Sequence, residues 1–446
     1  MIHKMRTFTR LLALGLSLPA LVLGGLHWLR VRSPRQVVLR TAKSAAEALA
    51  PLLALSGLAG AVLGWLVRSP AAVLAGLLGS LLAGGYRLRV MQSAHRLHPP
   101  AARPMRTHRA QPVRWLRDIP YWHLPESAEH LYCDLWLPPE AMPPSGTALL
   151  YLHGGGFFTS RKDFGTRSYF RHLAGEGHVV MDVDYRLAPG VSLIDMQADV
   201  RRAVAWMKAH AADYHVQRIV LAGGSAGGLL ALLVAYTPNH ATLTPPDLAE
   251  SDSSVQAVVS YYGVVDLAAL YHRLALVLPA DARAGFLPAA LFDHCLLQPA
   301  IHIGAWLKGV EPGVMRQYLR DNAALMQMGL GPAFERLLGG APDAVPDRYR
   351  LVSPAAQVGA HCPPTLLIHG EHDHLLPVSA TRALADQLRA CGAPVVYLEL
   401  PQTEHTFDLF LPQISPPAQA ALFILDHFLA SLESTGKNAC RQAFFP

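Results

Sequence analysis

The chain opens on three apolar runs with almost no polar positions, residues 11–29, 48–67 and 71–86. At 1.5 Å of rise per residue, the second is long enough to cross the hydrocarbon core of a bilayer as a helix. The third follows after only Arg68-Ser69-Pro70, which suits a tight helical hairpin. Gly60 and Gly64 lie four apart, and Gly57, Gly76 and Gly79 add small positions that let helix backbones approach closely. A soluble hairpin would carry one polar face, and no convincing small-x-small cleavage site follows the first run. Residues 1–86 are therefore read as membrane-anchoring helices with two or three spans.

Beyond residue 130 the pattern changes to short apolar strand-like runs at 131–137, 147–152, 179–184, 218–222, 255–261, 365–368 and 395–400. Between them, residues 193–210 have helical periodicity, with Val200, Val204 and Met207 on one face and Arg201, Arg202 and Lys208 elsewhere. Alternating strands and helices predict a doubly wound, mostly parallel sheet with its chemistry at the C-terminal ends of the strands. The rhythm breaks between Asp266 and Arg350, where the chain is long and apolar. The expected organisation is membrane helices over 1–86, a basic linker over 87–117 and a catalytic domain over 118–432. An insertion at about 268–350 interrupts that domain, and a disordered tail closes the chain over 433–446.

Charge sharpens this division. Residues 1–117 carry seventeen Lys and Arg against one acid, Glu47, a net of +16. The remainder carries 21 basic and 31 acidic residues, a net of −10, which gives the whole chain its +6. The basic character belongs to the N-terminal arm, so the catalytic body is not expected to bind nucleic acid. With three spans, the loop 30–47 and the segment after Tyr86 share one side, with Arg30, Arg32, Arg35, Arg40, Lys43 and eight more arginines up to Arg117. The excess of positive charge then places the catalytic domain in the cytoplasm. Five widely spaced cysteines, an odd number, agree in showing no disulfide framework.

Candidate chemistry centres on Ser225, in the run Gly223-Gly224-Ser225-Ala226-Gly227 between a strand-like and a helix-like stretch. A serine at the apex of such a turn needs small neighbours, and the turn lifts its hydroxyl to where a histidine can reach it. The Ala226 N–H then points toward an oxyanion forming at an attacked carbonyl. Upstream, strand 147–152 runs into His153-Gly154-Gly155-Gly156, where bare backbone N–H groups suit a developing negative charge. Downstream, strand 365–368 leads to Glu371-His372-Asp373-His374-Leu375, and strand 395–400 leads to Glu404-His405-Thr406-Phe407. Serine, acid and histidine, each just beyond a strand, are in the order that acyl transfer uses on such a sheet. Glu371 rivals Asp373 as the acid from the same loop. The cluster His369, His372 and His374 suggests metal ligands, but alternating positions at a strand end send their side chains to opposite sides. Neither a metal nor another cofactor is expected.

These motifs, with Asp184-Tyr185-Arg186-Leu187-Ala188-Pro189, make residues from about 115 to 432 resemble the hormone-sensitive-lipase-like carboxylesterases of the α/β-hydrolase fold. The resemblance implies Ser225 as nucleophile, His405 as base and Asp373 as acid, the last because the family pattern places Asp directly before x-Leu. It implies an oxyanion hole from Gly155, Gly156 and Ala226, with Gly154 completing the turn, and a helical cap from the insertion. The segment from Asp184 to Pro189 is similar to a family element that supports the site from a neighbouring loop. Thr406 departs from the family, many of whose members have glycine there. The implied activity is hydrolysis of apolar or lipid-like carboxylic esters at a membrane. Amide deacetylation, as in arylacetamide deacetylases, is the nearer alternative. A ligand receptor like the plant gibberellin receptors is the more distant one, because those lack the histidine. Acyl-chain length and oligomeric state are not encoded in any motif.

Overall fold

A computed structural model of the protein describes residues 2–30, 37–97, 112–124, 129–277 and 297–433. The chain forms two compact units, which do not follow the expected boundary near residue 117. The first joins residues 1–103 to segments 369–378 and 398–425, and the second holds 104–368, 379–397 and 426–446.

In the first unit, α1 (Ile2–Leu26), α2 (Val37–Leu66) and α3 (Pro70–Leu97) pack on one another. All three are long and apolar enough to cross a membrane, over Lys4–Leu26, Ala42–Leu66 and Pro70–Leu97. Their packing is inverted relative to a water-soluble bundle. Small residues such as Ala13, Ala20, Ala61, Ala72 and Ala83 are buried, while Leu11, Leu55, Trp65, Leu74 and Leu81 face outward. Lipid is as apolar as leucine, so helices in it associate through close backbone contact and hydrogen bonds rather than by hiding large side chains. The five glycines picked out from the sequence sit at those contacts; a Cβ on Gly57 would lie 2.6 Å from the Gly76 oxygen, and one on Gly79 2.6 Å from the Ala20 carbonyl carbon. Ser17, Ser56 and Ser80 donate across helices to the carbonyl oxygens of Ala72, Leu16 and Ala54 at 2.7–3.0 Å.

The helices differ from the sequence expectation at one end. Residues 37–47, expected in a loop, form the first turns of α2. Residues 87–97, expected as linker, continue α3, with Tyr86, Val90 and Ala94 on one buried stripe. Residues 98–111 of the linker and the tail from 434 lie outside the described residues.

The second unit is built on an eight-stranded sheet. Its strands are β1 (Arg114–His123), β2 (His130–Leu137), β3 (Thr147–Leu152), β4 (Val179–Val183), β5 (Arg218–Gly224), β6 (Ala257–Tyr261), β7 (Thr365–Gly370) and β8 (Val395–Leu400), in the order β1-β2-β4-β3-β5-β6-β7-β8. The last residues of β7 and β8 belong to the first unit. β1 and β2 are antiparallel additions, and β4, β3, β5, β6 and β7 run parallel. Strands β3, β4 and β6 are buried at every position, as continuous apolar runs in a doubly covered sheet should be. The helices that follow are α4 (Arg167–Gly175), α5 (Leu193–Ala209) and α6 (Ala226–Tyr236). A capping box starts α5: Ser192 Oγ accepts from Asp195 N–H, and the Asp195 carboxylate accepts from Ser192 N–H. α6 is buried all round and so carries no amphipathic stripe.

β1 was missed because it is an edge strand. It is half exposed, holds Pro120, and slips register between Leu116 and Ile119 and again between Pro120 and Trp122, so no period-two signal survives. The described part of the insertion is helical: α7 (Leu267–Val277), α8 (Leu297–Lys308), α9 (Pro312–Met328), α10 (Leu330–Leu338) and α11 (Pro346–Leu351). Residues 278–296 of it lie outside the described residues. Phe164, Ile301, Ala305, Val310 and Met315 form its apolar centre around α8 and α9.

Candidate active site

β5 ends at Gly224 and α6 begins at Ala226, which leaves Ser225 alone in the turn. Its backbone sits at φ 54° and ψ −116°, a conformation L-residues avoid at a cost of about 1–3 kcal/mol. The surrounding backbone enforces it: Ser225 N–H donates to the Tyr261 oxygen of β6 at 2.9 Å, and the Ser225 oxygen accepts from Leu229 N–H at 3.1 Å. Glycine is required on both sides. A Cβ at Gly223 would run into the Gly227 carbonyl, and one at Gly227 into the oxygens of Leu152 and His153.

The glycine loop after β3 passes directly over this elbow. A Cβ on Gly154 would lie 3.1 Å from the Gly224 oxygen and 3.4 Å from Ser225 Cβ. Gly155 and Gly156 follow at φ 115° and 63°, and the Gly155 oxygen turns away to accept from Phe158 and Thr159 N–H. Ala226 N–H heads α6, where amides have no intrahelical acceptor and the helix dipole favours negative charge.

The segment from Asp184 to Pro189 buttresses that loop. Tyr185 donates its hydroxyl to the His153 oxygen at 2.7 Å and stacks on the imidazole with centroids 4.3 Å apart. Ala188 N–H donates to the Phe157 oxygen at 3.0 Å, and Arg186 is clamped by two bonds to the buried Asp199. Burial lowers the pKa of His153, so the ring is neutral; its Nδ1–H donates to the Gly154 oxygen at 2.8 Å. The support role expected of this segment therefore has a physical form, a set of hydrogen bonds that fixes the glycine loop.

Asp373 and His405 meet in the other unit. Asp373 Oδ2 accepts from His405 Nδ1–H at 2.6 Å and lies 3.2 Å from His369 Nε2. Its Oδ1 accepts from Leu375 and Leu376 N–H at 2.9 and 2.8 Å. Burial pushes this carboxyl up, but the charge of His405 and the bonds from His369 and His405 outweigh it and hold Asp373 well below the usual carboxylate range. Asp373 stays ionised and locks its partner ring. Glu371, the rival acid, points elsewhere and accepts from Gln402 N–H at 2.9 Å.

The three neighbouring histidines diverge. His369 Nε2 faces the Leu376 oxygen at 3.1 Å, His372 Nδ1 accepts from Lys43 at 2.9 Å, and His374 Nδ1 donates to Glu404 at 2.8 Å. Lys43 on α2 was not anticipated as part of this region. Its signal was present: Lys43 and Glu47 lie one turn apart in an apolar arm, and Glu47 is the arm's single acid. The structure thus brings the glycine loop to Ser225 within one unit and Asp373 to His405 within the other.

The family model BD-FAE matches residues 133–287 and 321–388, half of the chain, a span that includes Ser225 and Asp373 and stops short of His405. A probable carboxylic ester hydrolase of Mycobacterium tuberculosis, LipM, is 32% identical over 314 residues, 69% of this chain and 59% of its own. Esterase LipQ of the same organism is 29% identical over 296 residues, 66% of this chain and 57% of its own. The chain spans about three fifths of the length of these curated relatives. Among solved structures, butyrate-bound esterase 2 of Thermogutta terrifontis matches with a TM-score of 0.48 at 23% identity, covering 72% of this chain and 94% of that one.

Proposed function

This chain belongs to the BD-FAE family, and we propose that it hydrolyses carboxylic esters through an acyl-enzyme formed on Ser225. The observation that carries the reading is the enforced backbone at Ser225, pressed against a glycine loop. A strained turn of this kind has a use only if the hydroxyl at its apex must be exposed to a substrate and a base.

In this mechanism His405 takes the Ser225 proton as the hydroxyl attacks the ester carbonyl, because a free serine is a poor nucleophile near neutrality. Asp373, ionised and bonded to Nδ1, fixes the tautomer that presents Nε2 to the serine and stabilises the imidazolium. N–H groups from the loop Gly154, Gly155 and Gly156 and from Ala226 bind the oxyanion, each donor contributing about 3–4 kcal/mol at the transition state. The imidazolium then protonates the leaving alcohol. Water enters, His405 removes its proton, and the acid departs with Ser225 restored.

The helices α1–α3 anchor the enzyme in a membrane. What supports this is their inverted packing, with tryptophans toward both ends of the bundle, Trp28 and Trp65. The excess of Arg and Lys after the first span and beyond the third supports a cytoplasmic orientation of the catalytic residues. Apolar or lipid-like esters fit an enzyme held at that interface.

The test is hydrolysis of p-nitrophenyl esters from acetyl to palmitoyl by membranes holding the wild type or Ser225→Ala. Turnover that disappears in the variant is expected, and the preferred acyl length separates a short-chain esterase from a lipase. Absence of Ser225-dependent turnover at every length would sink the ester reading and bring amide substrates forward.

A further inference from the structure

We propose that the N-terminal helices belong to the catalytic apparatus as well as to the anchor, with Lys43 as a positioning residue for both the acid and the base. The inference rests on the serine-hydrolase reading above.

The residue before Asp373 is His372, and the residue before His405 is Glu404. Lys43 Nζ donates to both, to His372 Nδ1 at 2.9 Å and to Glu404 Oε1 at 3.0 Å. One ammonium on α2 thus ties together the two loops that must keep Asp373 and His405 in register. The second oxygen of Glu404 accepts from His374, on the other flank of Asp373, at 2.8 Å. Glu404 N–H donates to Glu47 Oε2 at 3.2 Å, one helical turn from Lys43. On α3, Tyr86 shares a 3.1 Å hydrogen bond with Thr403 Oγ1, and its ring is stacked on His27 at 4.4 Å. Thr403 and Glu404 of the base loop are therefore both held from the helices, and all of these contacts lie within the first unit.

The chemistry of the cluster argues against an anchoring role alone. Lys43, Glu47 and Glu404 are all essentially buried. Burying the Lys43 ammonium and the Glu404 carboxylate costs free energy that their mutual attraction offsets only with good geometry and further hydrogen bonds. A helix that merely crosses hydrocarbon gains nothing from such a set, whereas a loop that must not move gains a fixed reference. The charge states are consistent with the hydrogen bonds. Burial, then the charge of Lys43, pushes His372 down to about 4, so its ring is a neutral acceptor. Burial pushes Glu404 up, but the bond from His374 and the charge of Lys43 outweigh it and keep the carboxylate ionised.

The experiment uses the full chain in detergent micelles with four variants: Lys43→Met, Lys43→Arg, Tyr86→Phe and Ser225→Ala. Active sites are counted by stoichiometric labelling with a fluorophosphonate, so turnover is expressed per competent site. Because a displacement of about 1 Å at a catalytic group costs about 100-fold, Lys43→Met is expected to lower per-site kcat about 10- to 100-fold. KM should stay within about twofold, the pH–rate profile should shift, and Lys43→Arg should restore most of the loss, because the substrate contacts themselves are untouched. A purely structural Lys43 would instead reduce the number of labelled sites and leave per-site kcat and the pH profile at wild-type values, which overturns the proposal. Should Lys43→Met yield no labelled protein, Tyr86→Phe decides by the same criteria, since it removes one hydroxyl and keeps the stacked ring. Ser225→Ala with wild-type turnover would overturn the serine-hydrolase reading and this inference with it. Loss in Ser225→Ala beside unchanged per-site kcat in the Lys43 and Tyr86 variants would overturn the inference alone.

Discussion

The turn at Ser225 and the loops around Asp373 and His405 solve one problem, holding a reactive group still, by different means. The first relies on the backbone. Gly223 and Gly227 admit contacts that no Cβ would tolerate, Gly154 one that would be tight, and the Ser225 conformation follows from main-chain hydrogen bonds to strand and helix. The second relies on side chains. Asp373 accepts from two main-chain N–H groups, but it and His405 are otherwise held by each other and by His369, and the neighbouring His372, Thr403 and Glu404 by a polar cluster that reaches α2 and α3. A backbone device is local in sequence and leaves a motif. A side-chain device draws on residues that are hundreds of positions apart and leaves almost none.

The largest effect that separates the two acids in the post-β7 loop comes from Asp373→Asn. The amide cannot accept four hydrogen bonds as the carboxylate does, and one N–H must face a donor, so His405 loses its tautomer. The expected fall in kcat is about 10⁴-fold, with labelled protein still folded. Glu371→Gln, which alters the acceptor of the Gln402 N–H, should stay within a few-fold. Equal losses in the two variants, measured as kcat on one ester, would break the assignment of the acid.

The backbone side is tested by Gly223→Ala. The added methyl meets the Gly227 carbonyl, and neither backbone segment can yield without moving Ser225. A destabilisation of about 3 kcal/mol is expected, read as a drop in the denaturation midpoint, together with loss of fluorophosphonate labelling. A Gly223→Ala enzyme that labels at the wild-type rate would show that the turn is less constrained than its contacts imply.

How much could be read in advance follows the same division. The elbow, the glycine loop and strand 147–152 were legible because a buried strand is a continuous apolar run and a strained turn demands glycine. Asp373 and His405 were legible through their place after strands. The partners Lys43 and Tyr86 were not, because the bonds to Glu404 and Thr403 close over 361 and 317 residues. No local pattern reports such a pairing, although a lone Lys–Glu turn in an apolar helix marks where to look. β1 escaped for another reason, since an edge strand with a proline and two register slips lacks the period that identifies strands.

A smaller effect is the pH dependence of the side-chain region. His372 has a folded pKa of about 4 against an ordinary 6.5, because of burial and then the charge of Lys43. The unfolded chain therefore binds the extra proton between those values. The stability this ring contributes is fully present above pH 6.5 and is lost as pH falls toward 4. For a half-buried ring screened by solvent, the loss is about 1–2 kcal/mol. The thermal midpoint should drop between pH 7 and 4.5 in the wild type, and drop less in His372→Gln. Identical pH slopes would remove His372 from the set of groups that feel Lys43.

The smallest effect tests the one place where the side-chain region borrows a backbone device. Thr406 follows the base directly and has φ 58°, a left-handed conformation that is rare for a β-branched residue. Many relatives of the resembling family have glycine at this position, and the observed angle gives the physical reason. The strain is about 1–2 kcal/mol. Thr406→Gly would relieve it, yet glycine also gains freedom in the unfolded chain, an opposing term of about 0.4–1 kcal/mol. The net expectation is a stabilisation of about 0–1.6 kcal/mol, with kcat unchanged, since His405 remains held through Asp373. The denaturation midpoint measures the first and ester turnover the second. A Thr406→Gly enzyme that loses turnover while gaining stability would mean that the threonine itself restrains the base. Backbone strain would then be working on both sides of the site.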